Sequence, residues 1–371
     1  MATPLEGIRV LDFTSLLPGP LATLILAEAG AEVIKIERPG RGDEMRSYTP
    51  KFGADSVNFA LLNRGKESIA IDLKDPGARE RFLPLVQGAD ILIEQFRPGV
   101  MDRLGLGYEA LRSVNRGLIY CSISGYGQSG SRAGVAGHDL NYVAETGLLS
   151  LAAPADGTPV VPAALVADIG GGSYPAVINI LLALLRRERT GEGAFLDVAM
   201  ADNVFPFLYW AIGNGMAAGR WPKPGDELVT GGSPRYNIYE TADGQFVVAA
   251  PLEDHFWEAF CDLLGLDECD RDDASDPEAT RRLVASRVAE HPADHWRRRF
   301  ARQDVCCSIV RTVREAVEDP YFRERGIFDR LVEGDGGGTI AALPLPLAPS
   351  FRRPDERLGY PRLGNANSRL D

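Results

Sequence analysis

Near the N-terminus the short run IRVLDF, rich in strand-forming residues, gives way to GPLATLILAEAGA, which reads as a helix ending in glycine. A second β-rich run, EVIKIE, follows at once. Strand, helix, strand in this order is a β-α-β unit, and the helical crossover forces the two strands to run parallel. The pattern then repeats through SIAIDL (strand), PGARERFLPLVQGA (helix), DILIEQF (strand) and LIYCSISGYG (strand). Sustained alternation predicts an α/β fold, a Rossmann-like large domain with helices on both faces of a parallel sheet. Its ligands are expected beyond the carboxyl ends of the strands.

Further along, GGGSYPAVINILLALLRRERTGEG predicts a long buried helix with a basic last turn and a glycine stop. AFLDVAM reads as a strand and NVFPFLYWAIGNGMAAG as helical, whereas RWPKPGDELVTGGSP is Gly- and Pro-rich, has no periodicity and reads as a linker. Beyond it, YNIYETADGQFVVAA has the pattern of a hairpin around an Asp-Gly turn, followed by mainly helical sequence. The expected organisation is a large domain over 1–220, a smaller α+β domain over 221–330, and a Pro-rich extended segment, 331–371, that returns to the large domain.

The net charge of −12 speaks against a chain that coats nucleic acid or an anionic membrane, so an anionic ligand must meet a local basic patch. The longest apolar run, AVINILLALL, stops at RRER short of a membrane span, and MATPLEGIRVLDF lacks the pattern of a signal sequence. A cytoplasmic protein with no nucleic-acid or membrane partner is expected. Five cysteines form no CxxC pair and four scattered histidines have no ligand spacing, so reduced thiols and no metal are expected.

Cations recur around the predicted strand ends: Arg38 and Arg41 after EVIKIE, then Arg64, Lys66, Lys74, Arg97 and Arg103. In an acidic chain this favours an anionic ligand such as a nucleotide diphosphate, since guanidinium donates paired hydrogen bonds to phosphate. No GxGxxG or GxxxxGK[ST] run follows the first strand, so the phosphates are not held in the manner of a dinucleotide fingerprint or P-loop. Three acid/base candidates stand out. His138 in AGHDLNY lies beside Asp139, which could fix its tautomer, or it serves only as a loop hydrogen-bonder. Asp168 in LVADIGGG is either a helix N-cap or a reacting group beside glycines that admit a ligand to the backbone. Glu253 in PLEDHFW is either a helix-start charge or a third acid/base group.

Taken in order, GIRVLDFTSLLPGPLATLILAEAGAEVIKIERPG, NRGKESIAIDLK, FRPGVMDRLGLGYEAL, LIYCSISGYGQSG, LVADIGGG and RRERTGEGAFLDVAM resemble the type III CoA-transferase superfamily over nearly the whole chain. AGHDLNY and GGSPRYNIYETADGQFVVAAPLEDHFW look most like its α-methylacyl-CoA racemase branch, although PLEDHFW departs from the AIEPQFY form of racemases and adds His255. The resemblance implies an acyl-CoA racemase or epimerase that inverts an α-carbon by 1,1-proton transfer through an enolate, with His138, supported by Glu253, and Asp168 as opposed acid/bases. It also implies CoA contacts at Arg38, Leu73, Lys74, Arg97, Arg103, Gly137, Asp139 and Tyr142. CoA enters as part of the thioester substrate, with no permanently bound cofactor. In the transferases of the superfamily the matching aspartate is a nucleophile, so the alternative is CoA transfer between carboxylic acids through Asp168. An interlocked homodimer is the architecture the resemblance implies.

Overall fold

The computed structural model describes residues 3–153 and 157–370. The chain divides into two compact units: Met1–Thr146, Ala163–Phe207 and Pro320–Asp371 form the first, and Gly147–Pro162 and Leu208–Asp319 the second. Relative to the expected 1–220 boundary, the helix Tyr209–Ala218 belongs with the second unit.

The first unit is built on six parallel strands: β1 Arg9–Phe13, β2 Glu32–Glu37, β3 Glu67–Ala70, β4 Ile91–Glu94, β5 Ile119–Ser124 and β6 Ala194–Ala199. They lie side by side as β3-β2-β1-β4-β5-β6, the order of a doubly wound sheet. Both faces are covered, so the strands read as apolar runs: every residue of β4 and β5 is buried. Helix α1 (Pro18–Glu28) starts on two prolines that suit a helix's first turn and is buried along its whole length. Helix α2 (Ala78–Gln87) buries Phe82 and Val86 on the opposite core with Leu11, Ile34 and Leu92.

GGGSYPAVINILLALLRRERTG forms a π-helical stretch, Ala167–Ser173, that continues into a longer α-helix, Tyr174–Thr190. The run Ala167–Thr190 is long and apolar enough by length and composition to cross a membrane, which the shorter AVINILLALL segment did not suggest. Here it packs on α1, β5 and β6. The expected burial holds on one face only: Ala176, Ile180 and Ala183 are buried, whereas Ile178, Leu182 and Leu185 are more than half exposed. Geometry explains the difference, because a helix laid on a sheet turns one stripe inward and this sequence is apolar on both sides.

The C-terminal segment is not simply extended. Leu331–Glu333, Thr339–Ala341 and Arg357–Gly359 make a three-stranded sheet, and the side chains of Asn365 and Asn367 accept the Ser68 and Ala70 N–H groups, each at 2.8 Å. These two amides cover the otherwise unpaired edge of β3. The segment is also tied to the buried Glu28, whose carboxylate pairs with Arg64 at 2.8 Å and with Arg330 at 3.2 Å, while Arg64 donates to the Leu343 carbonyl.

In the second unit, β7 (Asn237–Glu240) and β8 (Phe246–Ala249) form the antiparallel hairpin read from the sequence, and β9 (Cys307–Ile309) adds to the other side of β8. Gly244 takes the turn at φ +73°, a conformation that glycine adopts without a steric cost. Trp257, Phe260, Val284, Trp296 and Phe300 close a separate core over this sheet.

Removing one member of a buried ion pair leaves the other charge desolvated and alone. Glu28→Ala is therefore expected to lower stability by about 3–5 kcal/mol. Urea unfolding followed by circular dichroism measures this, and a loss within error of zero would show that the carboxylate does not anchor the C-terminal segment.

Candidate active site

Between β1 and β4 the strand order reverses, and beyond the carboxyl ends of these strands and β5 lies a cavity of about 450 Å³. That is the place where an open parallel sheet leaves a crevice. Ser15, Gln95, Arg97, Ser124, His138 and Asp168 are among its lining. A second cavity of about 420 Å³ lies alongside and is lined by Arg38, Asp43, Leu73, Lys74 and Leu104, and the two cavities share Ser15 and Phe96.

His138 immediately precedes a short helix, Asp139–Glu145, in extended backbone, and its exposed ring faces the first cavity. The His138 backbone N–H donates to Asn141 Oδ1 at 3.0 Å. Asp139 does not serve the histidine. Its buried carboxylate accepts the backbone N–H of Asp168 at 2.9 Å, so it fixes Asp168 instead of the imidazole, and it is not among the cavity-lining groups. Tyr142, also buried, donates its hydroxyl to the Gly137 carbonyl at 2.7 Å and stacks edge-on against Tyr126. A Cβ at Gly125 or Gly137 would lie within 3.0 Å of the Tyr142 ring, which explains both glycines. Burial first, then the Asp168 charge, pushes the Tyr142 hydroxyl up to about 12.

Asp168 is not an N-cap: it lies inside the π-helical stretch. Burial raises its carboxyl, the nearby Asp139 charge adds to this, and His138 offsets part of it, leaving Asp168 raised to about 6. The three glycines after it are packed against protein rather than open to a ligand. A Cβ at Gly170 would strike the Phe207 ring, at Gly171 the Met200 carbonyl oxygen 2.4 Å away, and at Gly172 the Met200 and Pro18 side chains. The N–H groups of Asp168 and Ile169 are likewise spent, on Asp139 and on the Leu165 carbonyl. The expected use of this stretch as a backbone cradle gives way to close helix packing.

Of the cations expected to meet an anion, Arg38 and Lys74 are exposed and line the second cavity together with Leu73. Arg97 is exposed and lines the first. Arg103 ends the short helix Val100–Arg103 in an exposed position and lines neither cavity; its guanidinium lies near Gly99. Arg64 and Lys66 are not available. Both are buried, paired with Glu28 and Asp12 respectively. Glu253, in the second unit, is exposed at the first turn of the helix Asp254–Leu264, without a side-chain cap bond, and its carbonyl accepts the Phe256 and Trp257 N–H groups. The neighbouring His255 ring lies against Phe256, with the ring centres 3.9 Å apart and the planes tilted by 42°.

Sequence reasoning missed the TSLLP turn after β1, although Ser15 and Leu16 line the first cavity. A run with no charge and no glycine signature gave no signal. It also missed Glu94, buried at the end of β4, whose carboxyl burial pushes up to about 7. Among the described residues no group of three or more His, Cys, Asp or Glu is placed to hold a metal.

The family model of CoA-transferase family III matches residues 5–367, and the chain belongs to that family. It is similar to the acetyl-CoA:oxalate CoA-transferase of Acetobacter aceti, 35% identical over 99% of this chain and 95% of that one. It is equally similar to the α-methylacyl-CoA racemase of Homo sapiens, 36% identical over 94% of this chain and 89% of the relative. Among solved structures, a CaiB/BaiF family protein from Brucella suis is 30% identical, with a TM-score of 0.84 and complete coverage of both chains.

Because the Asp168 carboxyl is raised, the folded protein holds its proton between about pH 4 and pH 6, where the unfolded chain has lost it. Its contribution to stability is therefore present at low pH and is lost as pH rises through this window. Asp139→Asn removes the like charge and keeps a hydrogen-bond acceptor for the Asp168 N–H, so the Asp168 titration should move to lower pH. Carboxyl-carbon NMR of labelled aspartate reads it directly, and an unmoved titration would show that Asp139 does not raise it.

Proposed function

We propose that this protein is an acyl-CoA racemase or epimerase, inverting the α-carbon of a 2-methylacyl-CoA or a related α-substituted thioester. The observation that carries this reading is that Asp168, raised to about 6, and His138 line one cavity at the sheet's crevice. A 1,1-proton transfer needs one group as base and the other as acid, and a carboxyl raised to about 6 is available in both its acid and its base form around that pH. One group removes the α-proton, the electron pair passes to the thioester oxygen as an enolate, and the other group returns a proton to the opposite face. Arg38, Leu73 and Lys74 are assigned to the nucleotide end of CoA, Arg97 and Arg103 to its phosphates, and Glu253 to support of His138. Gly137, Asp139 and Tyr142 are assigned to shaping the thioester end. A homodimer and the cytoplasm complete the reading, the latter supported by five unpaired thiols.

The similarity to a CoA-transferase at 35% identity favours a second reading, CoA transfer. There the Asp168 carboxylate attacks the thioester carbonyl, the C–S bond breaks and CoA leaves as thiolate, giving a mixed anhydride. The thiolate then attacks the aspartyl carbonyl, releasing the first carboxylate and leaving an aspartyl-CoA thioester. An acceptor carboxylate displaces CoA from it to form a new anhydride, and the thiolate takes the acceptor acyl group, restoring Asp168.

Incubation with (R)- and (S)-2-methylacyl-CoA in deuterated water separates the two. Racemisation predicts α-deuteration and inversion without any acceptor acid, and in His138→Ala a loss of about 10²- to 10⁴-fold in exchange from one enantiomer far more than the other. With Asp168 as base, kcat/KM should fall below about pH 6, and in the direction that needs its acid form it should fall above about pH 6. Retained configuration, an absolute need for a free carboxylic acid and a hydroxylamine-trapped adduct on Asp168 would overturn racemisation in favour of transfer.

A further inference from the structure

The two cavities meet at Ser15 and Phe96, and the turn that carries Ser15 is held in an unusual way. Leu16 has φ +62°, one of two non-glycine residues among those described with a positive φ. A branched side chain in the left-handed region is strained and persists only where its surroundings over-determine it. Here they do. The Leu16 N–H donates to both oxygens of Asp43, at 3.2 and 3.3 Å. Asp43 pairs at 3.0 Å with Lys35, whose side chain is fully buried, and the same ammonium donates to the Thr14 carbonyl at 2.8 Å. From the other side the Thr14 N–H and hydroxyl both donate to Asp12, at 2.9 and 2.5 Å.

Stability alone does not account for this arrangement, because a buried ion pair is often no better than well-packed apolar residues of the same volume. Nor does the turn need leucine, since glycine would take the same φ without strain. What the pair achieves is positional: one ammonium and one carboxylate fix consecutive points of the turn, Thr14 and Leu16, on either side of Ser15. Ser15 is the point at which a ligand reaching from Arg38 and Lys74 to His138 and Asp168 must pass.

We propose that Lys35 and Asp43 are positioning residues, holding the Thr14–Leu17 turn as the rail along which the pantetheine arm of a CoA thioester passes from the cavity of Arg38 to that of Asp168. The inference rests on the CoA reading above and adds to it the group that aligns the two ends. Neither residue needs to touch the reacting carbon. Thr14, Ser15 and Asp43 also border the nucleotide cavity, so a ligand confined there meets one side of the rail, whereas a ligand spanning both cavities depends on its alignment along the whole crossing.

Titration calorimetry with two probes tests this: CoA, which spans both cavities, and adenosine 3′,5′-bisphosphate, which lacks the pantetheine arm. In the paired variant Lys35→Met with Asp43→Leu, which leaves no charge unmatched within the pair, CoA should lose about tenfold more affinity than the bisphosphate, whose binding reads separately the change in the cavity wall that Asp43 lines. Asp43→Asn keeps an acceptor for the Leu16 N–H and loses only the ion pair. It serves if the paired variant does not fold, and there the loss is expected to be about threefold greater for CoA than for the bisphosphate. Equal weakening of both probes, or CoA binding unchanged in a folded variant, would overturn the positioning role. Failure of the parent protein to bind either probe would instead overturn the CoA reading, and this inference with it.

Discussion

Four charged side chains, Asp12 of β1, Lys35 of β2, Asp43 in the loop after β2 and Lys66 just before β3, lie together with almost no solvent exposure. Desolvating such groups is costly, and each is therefore matched. Lys66 donates to Asp12, Thr23, Asn63 and the Pro20 carbonyl, which satisfies it even though burial lowers its ammonium to about 8. Burial raises the Asp12 carboxyl, but Lys35 and Lys66 outweigh it and hold Asp12 well below the usual carboxylate range. Burial lowers the Lys35 ammonium, and Asp12, Asp43 and Glu37 outweigh that, so it stays protonated. The network ties the end of β1, the start of α1 and the loop after β2 together, and residues of all three segments line the two cavities.

The same economy of space governs the other wall. Gly170, Gly171 and Gly172 let the π-helical stretch approach Met200, Pro18 and Phe207 closely, and this sets the depth of Asp168. Asp139 completes the placement by accepting the Asp168 N–H, and its charge together with burial makes the carboxyl a weaker acid. Packing, backbone hydrogen bonding and proton affinity at this residue are thus consequences of one local arrangement. A carboxyl near 6 can work as base, acid or nucleophile, which fits a family whose relatives carry both racemase and transferase names.

Much of the sheet was legible in the sequence because each strand is a short apolar run bounded by turn residues and three of the connections, Pro18–Glu28, Ala78–Gln87 and Tyr174–Thr190, carry a helical pattern; the short helices Val57–Asn63, Val100–Arg103 and Tyr108–Arg112 in the other connections gave no such signal. The hairpin at Gly244 was legible for the same reason. What could not be read was the partnering of charges. Lys66 and Arg64 look like Lys74 and Arg97 in sequence, yet the first two are buried against Asp12 and Glu28 and only the latter two line cavities. Asp139 stands beside His138 along the chain but turns to Asp168, twenty-nine residues away, because a residue just inside a helix start points its side chain away from its predecessor's. Three glycines in a row suggested the approach of a ligand, whereas Phe207, Met200 and Pro18 of the protein itself make the close approach. Leu16 gave no sign of its left-handed backbone, since that conformation is imposed by Asp43 and is foreign to leucine itself.

We propose that one continuous crevice, aligned by the buried network, carries a CoA thioester from the Arg38 cavity past Ser15 to Asp168 and His138. A crystal structure with an unreactive acyl-CoA analogue tests it most directly. The account predicts the adenosine end against Leu73 and Lys74, the arm crossing the Thr14–Leu17 turn, and the acyl α-carbon between the Asp168 carboxyl and the His138 ring. An analogue seated outside these two cavities, or with its thioester remote from Asp168, would contradict it.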